Sequence, residues 1–226
     1  MCDVFNRVEK KYILNKTQFN KIKNIIYKNI KLDPYHTKEY TISSIYLDTD
    51  NFDLIRKSME KPIYKEKVRL RSYGVPNLSD EVFLEIKKKY NGYGNKRRIK
   101  IKLKEAYEFI NGKIKINSQI GKELDYTIKR NVLKPKIYIA YDRIAFQEKE
   151  FRITLDYNIR YRIEDIELEK GDSGNLLGKD LYIMEAKALN AYPKWFIKLL
   201  SQEKIYPKSF SKYGNIYKKL KQERKI

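Results

Sequence analysis

The 226 residues carry 50 Lys plus Arg against 29 Asp plus Glu, a net charge of +21, with 42% apolar and 13% aromatic residues. That is enough apolar surface for one core, so a single domain over residues 1–226 is expected. The one cysteine, Cys2, excludes an internal disulfide and a Cys-based zinc site, and no run approaches the roughly 20 apolar residues of a spanning helix, so the expectation is a soluble, cytoplasmic protein.

Apolar alternation predicts a strand over Phe5 to Leu14, and Phe19, Ile22, Ile25 and Ile26 at helical spacing predict a helix over Lys16 to Lys31. A strand over Tyr40 to Asp48, a short helix over Asn51 to Glu60, and strands over Tyr64 to Tyr73 and Glu81 to Tyr90 follow. Asn91-Gly92, with Gly94, marks a hairpin turn into a strand over Lys96 to Leu103. Helices over Lys104 to Ile110 and Ser118 to Asn131 precede strands over Lys136 to Phe146, Phe151 to Ile163 and Leu181 to Ala188. Glu169 to Lys179, with three glycines, reads as a loop. Pro193 opens a helix reaching about Ser201, with Trp195 and Phe196 as core residues, and the basic segment from Ser211 to Lys225 reads as a helix with a solvated face. About eight strands with scattered helices give a barrel-like α+β domain.

The charged residues of these strands are organised. Because side chains alternate with period two, Arg7, Glu9 and Lys11 share a face, as do Arg69 and Arg71, Glu85 and Lys87, Lys96 and Arg98, Arg152, Thr154 and Asp156, and Glu185 and Lys187. The opposite faces carry Val8, Val68, Leu70, Leu84, Ile86, Ile153, Leu155, Met184 and Ala186, an apolar layer suited to packing under helices. Two readings fit: an open sheet with a solvated, ion-paired face, or an interior whose cations require an anionic ligand. Arg would serve the second through its planar two-pronged fork, Lys through point charge, and the few carboxylates through a metal.

Other chemistries find little support. The only histidine, His36, sits beside Pro34 and Tyr35 as a surface residue, so no Ser-His-Asp or Cys-His triad can be assembled. No Gly-x-x-x-x-Gly-Lys-[Ser/Thr] loop occurs, and Gly92-Tyr93-Gly94 is hairpin geometry rather than a phosphate cradle. Nucleic acid is disfavoured as a partner despite the charge and the 20 Tyr, because no RNP-like or zinc-finger pattern is present.

Nine segments in order resemble the VTC domain, the polyphosphate-polymerase module of the vacuolar transporter chaperone complex. They are Phe5-Asn-Arg-Val-Glu-Lys-Lys-Tyr12, Ser44-Ile-Tyr-Leu-Asp-Thr49, Val68-Arg-Leu-Arg-Ser-Tyr73, Phe83-Leu-Glu-Ile-Lys87, Lys96-Arg-Arg98, Tyr141-Asp-Arg-Ile-Ala-Phe146, Arg152-Ile-Thr-Leu-Asp156, Met184-Glu-Ala-Lys187 and Ser209-Phe-Ser-Lys-Tyr213. The resemblance implies a triphosphate tunnel metalloenzyme: a closed eight-stranded antiparallel β-barrel with surrounding helices and a C-terminal helix. It implies that Lys11, Arg69, Arg71, Lys87, Lys96, Arg98, Arg143, Arg152 and Lys187 line the tunnel and grip phosphate, that Lys212 closes one end, and that Glu185 holds Mn²⁺ or Mg²⁺ with Glu9, Glu85 and Asp156 as supporting acids. ATP and inorganic polyphosphate are the implied partners, and transfer of the terminal phosphate of ATP to a growing polyphosphate chain, without a catalytic nucleophile, is the implied reaction. A metal-dependent tripolyphosphatase or nucleoside triphosphatase, or a non-catalytic polyphosphate sensor, are the alternatives. Tyr12 or Tyr213 stacking on a nucleobase is a minor expectation. The chain departs from the family at Pro207-Lys-Ser-Phe-Ser-Lys212, where polymerase members resemble Pro-Lys-Phe-Ser-Lys; with register kept from Ser211, Ser209 stands in place of a tunnel lysine.

Overall fold

The computed structural model describes residues 7–35 and 38–226, the Arg7 side chain excepted, so Cys2, Phe5, Asn6 and His36 lie outside the described residues. In chain order it comprises β1 (Arg7–Leu14), α1 (Lys16–Asn29), β2 (Tyr40–Asp48), α2 (Asp53–Met59), β3 (Tyr64–Tyr73), β4 (Glu81–Tyr90) and β5 (Tyr93–Lys102). Then come α3 (Leu103–Ile110), α4 (Gln119–Asn131), β6 (Lys134–Glu148), β7 (Phe151–Arg162), a 3₁₀ turn (Leu168–Lys170), a two-residue strand β8 (Asn175–Leu176), β9 (Tyr182–Leu189), α5 (Lys194–Gln202) and α6 (Lys212–Gln222).

The hydrogen-bonded strand order is β1-β9-β7-β6-β2-β3-β4-β5, with β8 on β7. The path has two ends, and β1 and β5 are not joined among the described residues, so the expected closed barrel is instead an open sheet with two edges. Closure of a barrel requires its first and last strands to exchange backbone hydrogen bonds, and here each of those strands has one named neighbour.

The chain divides into two compact units. One combines Met1–Thr41, Tyr141–Ile159 and Leu176–Ser211; the other combines Ile42–Ala140, Arg160–Asn175 and Lys212–Ile226. In the first, Asn15 caps α1 by accepting from the Gln18 backbone at 2.8 Å while the Gln18 side chain accepts from the Asn15 backbone, a reciprocal capping box. Phe19, Ile22 and Ile26 of α1 then bury against Ile153, Leu155, Met184 and Ala186, the apolar faces of β7 and β9, and against Phe196 of α5. In the second unit the apolar faces of β3 and β4 (Val68, Leu70, Val82, Leu84, Ile86) bury under Ala106 and Phe109 of α3 and Leu124 and Ile128 of α4. At roughly 25 cal/mol per Å² of apolar surface removed from water, this covering of one face drives each unit's fold and leaves the charged face outward from the core.

Two glycines are demanded by geometry. Asn91 (φ 44°) and Gly92 (φ 88°) join Tyr90 to its partner Tyr93, a two-residue hairpin with left-handed backbone at both positions. The turn uses only these two residues, so Gly94 lies within β5 opposite Lys89 and the strand starts three residues earlier than expected. A Cβ on Gly121 would lie 2.5 Å from the Ile116 carbonyl oxygen, and the same first turn of α4 is capped by Ser118.

Candidate functional site

In the second unit, antiparallel register places Tyr46, Arg69, Glu85 and Arg98 in one row across β2 to β5, with Ser44, Arg71 and Phe83 in the next row on the same face. Glu85 is 1% exposed and is the centre of this arrangement. Arg69 approaches Glu85 Oε2 through Nε at 2.7 Å and Nη2 at 2.6 Å, and Arg71 Nη1 lies 3.8 Å from the same oxygen. Lys96 Nζ is 2.7 Å from Oε1 but off the hydrogen-bonding direction, so that contact is ionic. Burial works against the Glu85 charge, but Arg69, Arg71 and Lys96 outweigh it and hold the carboxyl down at about 2. For Lys96, burial lowers the pKa; Glu85 offsets part of this, and the charges of Arg69 and Arg71 add to it. Three cations thus share one carboxylate.

Tyr46 and Arg98 extend the row. The Tyr46 hydroxyl accepts from Arg69 Nη1 at 3.1 Å; burial raises its pKa, but Arg69, Arg71 and Lys67 bring it down to about 8. Arg71 Nε donates to Ser44 Oγ at 3.2 Å, and Arg98 sits 4.4 Å above the Phe83 ring. Lys87 and Lys96 face each other directly in the β4–β5 register, both exposed.

Beside Tyr46 lies a latch that sequence reasoning missed. Asp48, fully buried, accepts from the backbone of Thr49 (2.9 Å), Leu54 (2.9 Å) and Ile55 (3.1 Å), and from the Tyr213 hydroxyl at 2.8 Å. Asp48 therefore satisfies the start of α2 and anchors α6 at once, and the Tyr213 ring stacks on Tyr46 with centroids 4.5 Å apart. Burial pushes the Asp48 carboxyl up against these four donors; burial and the Asp48 charge push Tyr213 up. Lys212, which opens α6, is placed by this latch. Tyr213 is 2% exposed, and Tyr12 is also 2% exposed with its ring edge-on to Phe196, so neither offers a face to a nucleobase as the sequence had suggested.

The first unit carries its own charged face. Register aligns Glu9, Lys187 and Arg152 in one row across β1, β9 and β7, and Lys11, Glu185 and Thr154 in the next. Lys187 Nζ lies 2.6 Å from Glu185 and 3.4 Å from Glu9, while Lys11 Nζ lies 4.0 Å from Glu185 and donates to the Phe210 carbonyl at 3.2 Å. Burial opposes the Glu185 charge, but Lys187, Lys11 and Arg143 hold its carboxyl well below the usual range. Arg152 pairs with Asp33 at 2.9 Å. Arg143 gives Nε (2.6 Å) and Nη2 (2.8 Å) to the 1%-exposed Asp156, a bidentate fork that commits Asp156 to orienting the arginine. At the departure from the family pattern, Ser209 is exposed and the Lys208 backbone donates to the Lys11 carbonyl at 2.8 Å.

Among the described residues no group of three or more His, Cys, Asp or Glu is placed to hold a metal. Glu185 and Glu9 nevertheless converge on Lys187, and the buried Thr154 hydroxyl, opposite Glu185 in register, has no hydrogen-bond partner. Hard divalent cations commonly take one or two protein carboxylates and complete their shell with water and substrate phosphate. The Glu185 and Glu9 carboxylates and the Thr154 hydroxyl are oxygen donors of the type that suits a hard divalent cation. No helix among the described residues is long and apolar enough to cross a membrane.

Comparison with known proteins is consistent with this geometry. A family model described as the VTC domain matches residues 6–221. The vacuolar transporter chaperone complex subunit 4 of Schizosaccharomyces pombe is 27% identical over 194 residues, covering 71% of this chain and 27% of that protein. The subunit 4 of Trypanosoma cruzi is 27% identical over 161 residues, covering 56% of this chain and 20% of that protein, so the chain spans about a quarter of the length of these relatives. Among solved structures, a Bacillus halodurans protein provisionally assigned as an adenylate cyclase aligns with TM-score 0.58 at 14% identity, covering 91% of this chain and 93% of its own. A Hippeastrum protein, provisionally assigned as an adenylyl cyclase and revealed to have a dominant triphosphatase activity, aligns with TM-score 0.54 at 14% identity, covering 92% of this chain and 93% of its own. At such identities these structures establish a shared fold.

Proposed function

From the premise that the chain belongs to the VTC domain family, we propose that it is a metal-dependent phosphotransferase that moves the terminal phosphate of ATP onto a polyphosphate chain. The observation that carries this reading is the cation surplus around a single buried carboxylate, with Arg69, Arg71 and Lys96 all on Glu85. Packed like charges are costly in a weakly polar site, and a multiply charged anion relieves that cost.

Phosphoryl transfer asks a protein for position, charge neutralisation and in-line geometry more than for covalent participation. Arg69 and Arg71 would hold phosphate oxygens from fixed positions, because Glu85, Tyr46 and Ser44 already orient their guanidinium groups. Arg143, clamped by Asp156, would present its remaining edge in the same manner, and Lys11, Lys187 and Arg152 would supply further charge. Glu185 with Glu9 would hold Mg²⁺ or Mn²⁺, which supplies charge neutralisation to phosphate oxygens when bound. Lys87, Lys96, Arg98 and Lys212 complete the proposed phosphate contacts, in a single cytoplasmic domain.

The test is incubation with ATP, Mn²⁺ and a short polyphosphate primer, with products resolved by gel beside Glu185→Gln and Arg71→Ala. Chains that lengthen in the parent and fail in both variants are expected. Orthophosphate release without lengthening would replace the reading by hydrolysis, with water as acceptor. Polyphosphate binding without turnover would leave a receptor, and binding of nucleic acid that polyphosphate does not displace would overturn the phosphate reading.

A further inference from the structure

The hairpin end of β3, β4 and β5 carries side chains that the phosphate site does not use. Register sets Tyr64, Tyr90 and Tyr93 in one row across the three strands, and the Asn91 backbone donates to the Ile63 carbonyl at 2.8 Å, which adds Ile63 at the same end. The row shares the face of Glu66, since alternate residues of a strand point the same way, and the Tyr64 hydroxyl donates to Glu66 at 2.7 Å. Tyr93 is 79% exposed, Ile63 69%, Tyr90 64% and Tyr64 43%. The other face of the same end carries Lys65 and Lys89, directly opposite in register, with Gly94 beside Lys89. Lys61 and Lys89 are exposed, and Lys65 is half-buried and donates to the Ser58 carbonyl at 3.5 Å. Burial, and then the charges of Lys89 and Lys61, lower the Lys65 pKa, so the three lysines lie near one another. A Cβ on Gly92 or Gly94 would meet no atom within 4 Å among the described residues, and the turn therefore borders open space.

Apolar side chains exposed singly need no explanation, but a contiguous set points to something that covers it. The division of rings and lysines between two faces restricts what that can be. A peptide or a single nucleic-acid strand lying along the sheet meets one face, the rings or the lysines. A planar surface that meets the strands end-on touches both faces at once. A bilayer interface has the matching layers: tyrosine settles at headgroup level with its ring toward the acyl chains and its hydroxyl toward water. Lysine stems lie along apolar surface while their ammonium groups reach anionic headgroups.

We propose that this hairpin end is a peripheral membrane-docking tip for an anionic bilayer, with Ile63, Tyr90 and Tyr93 entering the headgroup region and Lys61, Lys65 and Lys89 on the lipid phosphates. Binding of this kind follows the apolar area buried plus the attraction to anionic lipid, and each lysine near such a surface strengthens it roughly fivefold. The tip is separate from the Glu85 row and does not depend on the phosphate-chain reading.

The experiment is co-sedimentation of the whole chain with vesicles of phosphatidylcholine alone and of an equimolar phosphatidylcholine–phosphatidylserine mixture, at matched lipid and salt. The variants are Ile63→Ser/Tyr93→Ser, Lys61→Gln/Lys89→Gln and Tyr93→Trp, with Lys113→Gln/Lys115→Gln, at two exposed lysines between α3 and α4, as the control of equal charge change. The parent and the control are expected to bind the mixed vesicles alike and the phosphatidylcholine vesicles far less. The Ser pair should lose on the order of tenfold in affinity for the mixed vesicles through lost apolar burial, and the Gln pair roughly 25-fold through two lysines. Tyr93→Trp should bind at least as tightly as the parent, because the indole ring also favours the interface; a merely structural role for Tyr93 would not require that. Inorganic triphosphate affinity should be the same in the Ser pair as in the parent, which separates failure of the tip from failure of the phosphate site. Vesicle binding that the Ser pair retains in full, or that the control loses as much as the Gln pair, is diffuse attraction of a chain of charge +21 and overturns the tip. So does a parent that binds neither vesicle. A single-stranded oligonucleotide that strips the parent from the mixed vesicles, and that itself binds Tyr93→Ser more weakly, would replace the bilayer by base stacking.

Discussion

Replacing Glu85 by Gln keeps the shape of a buried side chain and deletes the charge that three cations share. A carboxyl that titrates near 2 in the fold and near 4.5 when unfolded contributes about 3 kcal/mol at pH 7. Solvent reaching Arg69 (22% exposed) and Lys96 (42% exposed) trims this figure, while the repulsion left among Arg69, Arg71 and Lys96 adds to the cost of the variant. For a chain of this length about 3 kcal/mol corresponds to a fall in Tm of about 6–12 °C. The folded pKa lies below the unfolded one, so this stability is present above about 4.5 and is lost as pH falls toward 2. The difference between parent and Glu85→Gln, followed by denaturant unfolding, should therefore shrink to about 1.4 kcal/mol at pH 3. A second readout moves the other way: with its internal competitor gone, the Arg69–Arg71–Lys96 group should bind inorganic triphosphate more tightly in Glu85→Gln at pH 7 while turning over more slowly. A stability difference that is the same at pH 7 and pH 3, or a Gln variant that is the more stable at pH 7, would refute the assignment of Glu85 as the ionised hub.

Tyr213→Phe keeps the ring on Tyr46 and removes the hydroxyl donated to the buried Asp48, a bond to a charged acceptor whose loss costs about 1.5–3 kcal/mol; faster amide exchange concentrated in α6 is the expected signature, and uniform exchange would dismiss the latch. Tyr46 should ionise near 8, visible as phenolate absorbance that grows between pH 7 and 9 and is absent in Tyr46→Phe; titration only above pH 10 would place Arg69 elsewhere. Because the phenolate is a new negative charge beside Arg69, triphosphate affinity should fall through the same pH range. Triphosphate at 100 times its Kd should stabilise the protein by about 2.7 kcal/mol, and this thermal shift should vanish in Arg71→Ala.

The strands and helices were legible because each buries one face. Apolar periodicity located the elements to within a few residues, and the alternation of Val68, Leu70, Leu84 and Ile86 with Arg69, Arg71, Glu85 and Lys87 separated the covered side of the sheet from the charged one. Gly94 was misplaced because dipeptide chemistry flags a turn without fixing its length; two consecutive left-handed residues, Asn91 and Gly92, already reverse the chain. Whether the sheet closes could not be read, since closure depends on edge-to-edge pairing between strands as distant in sequence as β1 (Arg7–Leu14) and β5 (Tyr93–Lys102) and not on any local pattern. The same distance hid the Asp48–Tyr213 latch, 165 residues apart in sequence. Its signals, an Asp ending a strand before a helix start and a Tyr beside a basic helix, are each commonplace alone.

The acids assigned one supporting role by resemblance are distinguished by their partners. Asp156 is consumed by a bidentate arginine and fixes direction. Glu85, ringed by Arg69, Arg71 and Lys96, carries one negative charge against three positive ones. Glu185 shares Lys187 with Glu9 and has Lys11 4.0 Å away, and Lys187, Lys11 and Arg143 together hold its carboxyl ionised. Each acid is therefore defined by its cations: Asp156 holds one arginine in a fixed direction, Glu85 is shared by three cations, and Glu185 lies between two lysines.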